Sequence, residues 1–224
     1  MISVIVPTHN EELFLQHCLD SVTAVSIDRQ IIIVDGGSRD RTLNIARKYT
    51  EQVISLEGVN LAEQLNRGAS AAEGEILLFL HADSQPTPGS LEQLEHLSPN
   101  LIGGAFTMQL EGKKLFYRLL SMGGNLYCRL TGTYFGDRGI FVRKPVFEKM
   151  GGFSQLPIMA DVEFSRRMRT YGKTALLKGP IISSSRKFDE EGAFHTLYLI
   201  LYALLAYRFG MEPGVIKRKY YHRE

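Results

Sequence analysis

The chain has 224 residues, 44% of them apolar and 22% charged, an ordinary globular composition that allows one sizeable core. Twenty-six basic residues against 24 acidic ones leave a net charge of +2, which excludes a nucleic-acid binder built on bulk positive charge. The two cysteines, Cys18 and Cys128, form no CxxC pair and no metal-ligand spacing, and MISVIVPTHNEE lacks the regions of a signal peptide, so a reduced, cytoplasmic protein is expected.

In chain order, ISVIVP is a β-branched run ending at Pro7, a strand pattern. EELFLQHCLDSV places apolar residues at 13, 14, 18 and 22, which suits a helix. QIIIVDGGS is a second strand, continuous in Ile and Val and therefore expected to be covered on both faces. A helix over RDRTLNIARKYT, with Ser38 or Asp40 as cap, a short strand in EQVISLE and a helix over NLAEQLNRGASAAEG follow. EILLFLHAD is the fourth strand. Beyond Pro88 the pattern predicts a helix in SLEQLEHL, a strand in IGGAFTMQL and a helix over 114–132 interrupted by Gly123 and Gly124. Residues 138–153 read as strand, helix and glycine turn, and 160–172 as an amphipathic helix. Two short strands are expected in 174–188, then a strongly apolar helix over 193–210. Its longest apolar run, residues 197–207, falls short of the roughly 20 residues a spanning helix needs.

Strands alternating with helices predict an α/β domain around a mostly parallel, Rossmann-like sheet flanked by helices, with a C-terminal apolar helix. With no repeat or linker, 1–224 is treated as one domain, a nucleotide-binding half to about residue 100 and a mixed half after it. In such sheets ligands sit beyond the carboxyl ends of the strands. Those ends here carry Pro7, Thr8, His9, Asn10, Glu11 and Glu12, then Asp35, Gly36 and Gly37, then His81, Ala82 and Asp83. No GxGxxG follows the first strand, and neither a P-loop nor a GxSxG elbow is present. A carboxylate-rich edge repels a pyrophosphate unless a divalent cation bridges them, and Mg²⁺ or Mn²⁺ takes one or two carboxylates plus substrate phosphates. Asp83 is the candidate metal ligand, and Asp35 suits a base or ribose contact.

The segments SVIVPTHNEE, IIIVDGGSRDRT, LNRGASAAEGEILLFLHADS and GGF…ADVEFSRRMRTYG resemble the inverting family-2 glycosyltransferases of GT-A fold, over almost the whole chain. HADS, together with GDRGIFVRKPVFEKMGGF, resembles a bacterial radical-SAM/selenodomain-associated subgroup, some of it linked to arsenosugar biosynthesis. The resemblance implies a metal-dependent transferase moving a sugar from a nucleotide donor, a UDP-sugar by expectation, to a small-molecule or lipid-linked hydroxyl acceptor. It implies donor contacts at Pro7, Thr8, Asn10, Glu11, Asp35, Gly36, Arg67, His81, Ala82 and Asp83. Of the family's DxD motif only Asp83 is kept as an acid, with the metal contact; His81 replaces the first. The general base falls on Asp161, after Ala160 where the family usually has an acid. With that charged neighbour lost, burial must do any tuning of the Asp161 carboxyl. Asp137 and Arg138 fall on the acceptor side, and Arg186 is a candidate for the diphosphate.

Plainer readings stand beside these. Asp35 and Asp161 could cap their own helices, Asp83 could serve an Asx turn, and Arg67, Asp137 and Arg138 could be surface or turn charges. The lost acids at 81 and 160 also leave open a catalytically silent nucleotide-sugar binder, and a nucleotidylyltransferase is disfavoured because PTHNEE contains no glycine. The apolar helix with Tyr198, Leu201, Tyr202, Leu204 and Leu205 fits packing on the core or on a second subunit. It equally fits contact with the inner face of a membrane, where Arg208, Lys217, Arg218, Lys219 and Arg223 would meet anionic headgroups.

Overall fold

The computed structural model describes residues 1–58 and 60–221; Arg223 lies outside the described residues. The four apolar runs of the N-terminal half become β1 (Ile2–Thr8), β2 (Arg29–Asp35), β3 (Val53–Ser55) and β4 (Ile76–Phe79). They pair in parallel in the order β3-β2-β1-β4. Parallel neighbours need crossover connections, which α1 (Leu15–Thr23), α2 (Thr42–Ala46) and α3 (Leu61–Ala71) provide. The chain begins mid-sheet, builds outward to β3, and then returns past β1 to lay down β4. That reversal opens a crevice at the carboxyl ends of the strands.

Side chains of β1 and β2 alternate between two apolar layers. Val4, Val6, Ile31 and Ile33 pack with Leu15, Cys18, Leu19 and Val22 of α1. Ile5, Ile32 and Val34 pack with Ala62, Leu65 and Ala69 of α3. Both faces are covered, which is why these strands read as unbroken apolar runs. Each such fully buried side chain stabilises the fold by roughly 1.5–3 kcal/mol.

The second half continues the same sheet with β5 (Ser84–Pro86), β6 (Leu101–Leu110), β7 (Ile140–Arg143) and β8 (Lys173–Ser183). Among the described residues, one eight-stranded sheet results, in the order β3-β2-β1-β4-β7-β6-β8-β5. β7 is antiparallel to β4 and β6, β6 and β8 are parallel, and β5 runs antiparallel to β8. The end of β8 and the start of β5 and β7 therefore lie at the same edge as the carboxyl ends of β1, β2 and β4. Helices α4 (Leu115–Thr131), α5 (Lys144–Met150), α6 (Ala160–Tyr171), α7 (Arg186–Glu190), α8 (Ala193–Arg208) and α9 (Pro213–Tyr220) complete the chain.

Several local expectations are corrected. Residues 174–188 hold one long strand and a short helix instead of two strands. Lys178, Gly179 and Pro180 are absorbed as an irregularity where the pairing steps from Phe106↔Leu177 to Met108↔Ile181. Gly123 and Gly124 do not interrupt α4, whose helix runs through both. SLEQLEHL yields only a 3-10 turn, Leu91–Leu94. The helix after β2 shrinks to five residues, and its first N–H is taken by Asp40, where Thr42 N donates to Oδ1 at 3.0 Å.

An aromatic cluster fixes α6 beneath the sheet. Phe164 stacks on Phe153 with centroids 4.0 Å apart, and Phe153 meets Phe79 of β4 edge-on at 4.9 Å. Phe164 is fully buried. Replacing Phe164 with Ala is expected to cost about 3–5 kcal/mol in urea unfolding, by lost burial and the cavity left behind.

Candidate active site

The loops after β1 and β2 are laced together. Asp35 is fully buried, and both its oxygens are occupied. Oδ1 accepts from Thr8 Oγ1 at 3.0 Å and from Ser38 Oγ at 2.5 Å; Oδ2 accepts from the N–H groups of Gly37 at 3.0 Å and Ser38 at 2.8 Å. In this arrangement Asp35 shapes the loop and presents no free edge to a ligand. Asn10 takes the left-handed conformation (φ 57°), and its Oδ1 accepts from Arg39 N at 2.8 Å. Glu12 and Asp40 each accept a backbone N–H from the other's loop. Gln64 of α3, buried, donates to the carbonyls of Thr8 at 2.9 Å and Val34 at 3.0 Å, tying the two strand ends to one helix. Gly36 lies against that amide. These loops border an open cleft of about 830 Å³ whose walls include His9, Asn10, Gly36, Arg39, Glu57 and Gln64. The size suits a nucleoside, and the lining mixes glycine backbone with polar and charged side chains. Pro7 and Thr8 are buried at the end of β1 and Arg67 is exposed on α3; none of the three is among the lining residues.

The second group surrounds the turn after β4. His81, Ala82 and Asp83 form it, closed by Ser84 N donating to His81 O at 3.1 Å. Ala82 is buried, and the Cys18 thiol donates to the His81 carbonyl at 3.6 Å. Asp83 remains partly exposed, with Oδ2 3.7 Å from an Arg186 nitrogen. Arg186 follows β8 and makes a two-pronged pair with Glu11 at 3.0 and 3.3 Å, while its guanidinium lies over Phe14 at 4.7 Å. Three residues far apart in sequence thus form one acid–base–acid cluster.

The third group lies across the turn. Gly136 N donates to Asp161 Oδ2 at 2.8 Å, and Val162 N donates to Oδ1 at 2.8 Å. Asp161 therefore both caps its own helix and reaches across to the strand β7 entry. Burial pushes its carboxyl above the ordinary 3.8; the two N–H bonds pull it down, Asp137 pushes it up, and His81 pulls it down. Burial is the largest of these causes, and Asp137 adds a like charge, so burial is not the only upward influence, contrary to the expectation from the lost acid at 160. A side chain at Gly136 would collide with the imidazole, since an ideal Cβ there lies 2.6 Å from His81 Nε2. Glu163 faces elsewhere, paired with Arg167 at 2.7 Å.

Arg138 is fully buried beside this group. It donates to Asn125 Oδ1 at 2.5 Å, and its Nε lies 4.0 Å from Asp137 Oδ1. Neither of those two atoms has a hydrogen-bond partner. Gly124 makes room for the guanidinium: an ideal Cβ there would lie 2.5 Å from an Arg138 nitrogen. Gln64, Asn125 and Gly136 escaped the sequence reading. The available trace of Gln64 was a polar residue on the apolar face of its helix, flanked by Ala62 and Leu65.

Among the described residues no three His, Cys, Asp or Glu side chains converge as a protein-only metal cage. Asp83 alone, partly exposed on a polar turn, fits a Mg²⁺ or Mn²⁺ ion only if donor phosphates and water complete its oxygen shell.

A sheet of this order, with its cleft at the carboxyl edge, defines a GT-A fold. Solved structures share it. The mannosyltransferase PcManGT from Pyrobaculum calidifontis, in complex with GDP-Man and Mn²⁺, superposes with a TM-score of 0.68 at 19% identity, over 98% of this chain and 69% of that one. S. aureus TarS 1-349 in complex with UDP-GlcNAc gives 0.62 at 19% identity, over 82% of this chain and 58% of that one, so less than two thirds of it is spanned. The sequence profile of Glycosyl transferase family 2 matches residues 3–98. The PGL/p-HBAD biosynthesis glycosyltransferase of Mycobacterium tuberculosis is 30% identical over 195 residues, 79% of this chain and 72% of that protein. Glycosyltransferase AglE of Haloferax volcanii is 28% identical over 211 residues, covering 84% and 68%. The chain belongs to glycosyl transferase family 2, and it is a glycosyltransferase.

The Gly136 contact is open to a direct measurement. Gly136→Ala should displace either the His81 turn or Asp161 and lower kcat/KM about a hundredfold, with the circular dichroism spectrum unchanged.

Proposed function

We propose that this enzyme moves a sugar from a nucleotide-sugar donor, a UDP-sugar in this reading, to a hydroxyl of a small-molecule or lipid-linked acceptor, with inversion and with Asp161 as general base. One observation carries the proposal: Gly136 touches His81 of the donor turn and donates its N–H to Asp161, so the turn and the carboxylate meet at one residue. The complexes of structural neighbours with UDP-GlcNAc and with GDP-Man and Mn²⁺ support a nucleotide-sugar donor and a divalent ion. The HADS and GDRGIFVRKPVFEKMGGF segments support membership in the radical-SAM/selenodomain-associated subgroup.

In this mechanism the acceptor oxygen attacks the anomeric carbon from the face opposite the diphosphate. A new carbon–oxygen bond forms as the bond to the diphosphate oxygen breaks, and the leaving group departs with the electron pair. The hydroxyl proton passes to Asp161, whose fixed position also orients the attacking oxygen. The Arg186 guanidinium, within reach of Asp83, offers a charge-assisted contact to the diphosphate. Asp83 would hold a Mg²⁺ or Mn²⁺ ion together with the donor's phosphates, and the ion would supply positive charge to the leaving group. Lacing by Asp35, Ser38, Asn10 and Glu11 keeps the nucleoside cleft shaped before the donor arrives.

Asp161→Asn should lower transfer by about 10²- to 10⁴-fold, as loss of a general base does. Binding of UDP, followed by thermal shift, should be unchanged. Retained turnover removes Asp161 from the role. In the unmodified enzyme, transfer should fall toward acid along a limb whose midpoint lies above 3.8, the ordinary aspartate value, because the base works only ionised. Stability runs the other way for this group. Its folded pKa is raised, so its contribution is greatest at low pH and is lost as pH rises through the folded value.

UDP with Mn²⁺ should raise the melting temperature more than UDP alone. At a hundredfold excess over Kd the stabilisation is about 2.7 kcal/mol. In Asp83→Asn the manganese-dependent part should disappear while the response to UDP alone remains.

A further inference from the structure

Two helices leave an apolar stripe uncovered at the same spacing. On α4, Leu115, Leu119, Met122, Leu126 and Leu130 are 56–76% exposed. On α8, Phe194, Tyr198, Leu201, Leu205 and Phe209 are 51–83% exposed. Steps of three and four residues put each set on one face of its helix. The stripes meet at their N-terminal ends, where the Phe116 and Phe194 rings lie 5.5 Å apart. The opposite faces of these helices wall the acceptor side. Asn125 of α4 holds Arg138, and α8 and α9 pack on Ile158 and Met159, just before Asp161.

Charge decides what such a face can meet. Residues 112–136 and 193–221 together carry eight Lys and Arg against one acid, Glu212, although the whole chain is only +2. Lys113, Arg118, Arg129, Arg208, Lys217 and Arg218 are exposed, and none has an ion pair among the described residues. A second copy is a poor occupant, because a two-fold interface would bring this basic rim against itself. An anionic bilayer matches both features, apolar side chains entering the acyl boundary and basic ones meeting headgroups. Among the described residues no helix is long and apolar enough to cross a membrane, so the contact is one of lying on the surface.

We infer that the α4–α8 face docks this enzyme on an anionic lipid surface, with the acceptor wall at the level of the headgroups. The docking stands on exposure and charge alone; only the naming of the acceptor side rests on the catalytic reading above.

The test is co-sedimentation of the full chain with phosphatidylcholine vesicles, with and without phosphatidylglycerol, at low and high salt. Binding is expected to the phosphatidylglycerol vesicles at low salt and to weaken as salt rises. The pairs Met122→Glu with Leu126→Glu, and Leu201→Glu with Leu205→Glu, should each abolish it. Should either pair fail to fold by circular dichroism, the triple variant Arg208→Gln, Lys217→Gln, Arg218→Gln replaces it and should bind roughly a hundredfold more weakly, at about one kcal/mol per basic residue. No binding at low salt overturns the inference, as does binding that no variant alters. A dimer that the α4 pair dissolves, without vesicle binding, assigns the face to a second copy and also overturns it. UDP thermal shifts on the same proteins keep the two readings apart. A retained shift with lost vesicle binding supports docking as a separate property. No UDP shift in the unmodified protein counts against the donor reading and leaves the vesicle result standing.

Discussion

A single backbone N–H, that of Gly136, donating to Asp161 at 2.8 Å, ties the entry of β7 to the start of α6 beside the His81 turn. The turn of His81, Ala82 and Asp83 is delivered by β4, and Asp161 by α6, about eighty residues later in the chain. Nothing covalent relates them. Their relation is set by the entry to β7, which pairs antiparallel with β4 and so begins where β4 ends. Glycine at 136 lets the imidazole of His81 press on that entry, and the same residue's N–H takes the carboxylate. The aromatic stack of Phe79, Phe153 and Phe164 locks β4 and α6 from below, so the contact above does not have to carry the packing load.

The electrostatics of the edge divide into spent and available charge. Asp35, Glu12 and Asp40 are consumed in shaping loops, each accepting N–H groups. Glu11 and Asp83 share Arg186, a cluster whose two acidic ends are both partly exposed. Arg138 is different. A fully buried guanidinium with its Nε unbonded, 4.0 Å from an Asp137 oxygen that is also unbonded, is an expensive arrangement for stability alone. Its position beside Asp137, which itself pushes the Asp161 carboxyl upward, places that cost next to Asp161.

The N-terminal half was legible because burial on both faces of a parallel sheet writes unbroken Ile and Val runs, and strand ends collect the polar residues. Asp83 and Asp161 could be located from those ends and from the helix start. What the sequence hid was close approach. Gly123 and Gly124 look like a break in a helix, yet Gly124 is there because an arginine from another element needs the space. Residues 174–188 look like two strands because Gly179 and Pro180 break the pattern locally, while pairing with β6 on either side holds them in one strand. The uncovered stripe on α4 was invisible for a related reason: apolar residues at helical spacing normally mark the buried face, and only the packing shows which face the core left out. At 160 the missing acid has a physical account, since Ala160 is buried in the aromatic layer, where a carboxylate would be desolvated.

Met159 connects these points. It takes the left-handed conformation (φ 66°) at the start of α6, without glycine's freedom, at a cost on the order of 1 kcal/mol. Such a residue persists where its surroundings over-determine it. Here they do: Met159 and Ile158 pack against Ala203, Ala206 and Ile216, so α8 and α9 hold the backbone that aims Asp161. Tyr220 of α9 is partly buried on the same cluster; burial, then Tyr221, Glu191, Asp137 and Asp161, push its hydroxyl up. The C-terminal helices are therefore part of the support of Asp161 rather than an appendage to the domain.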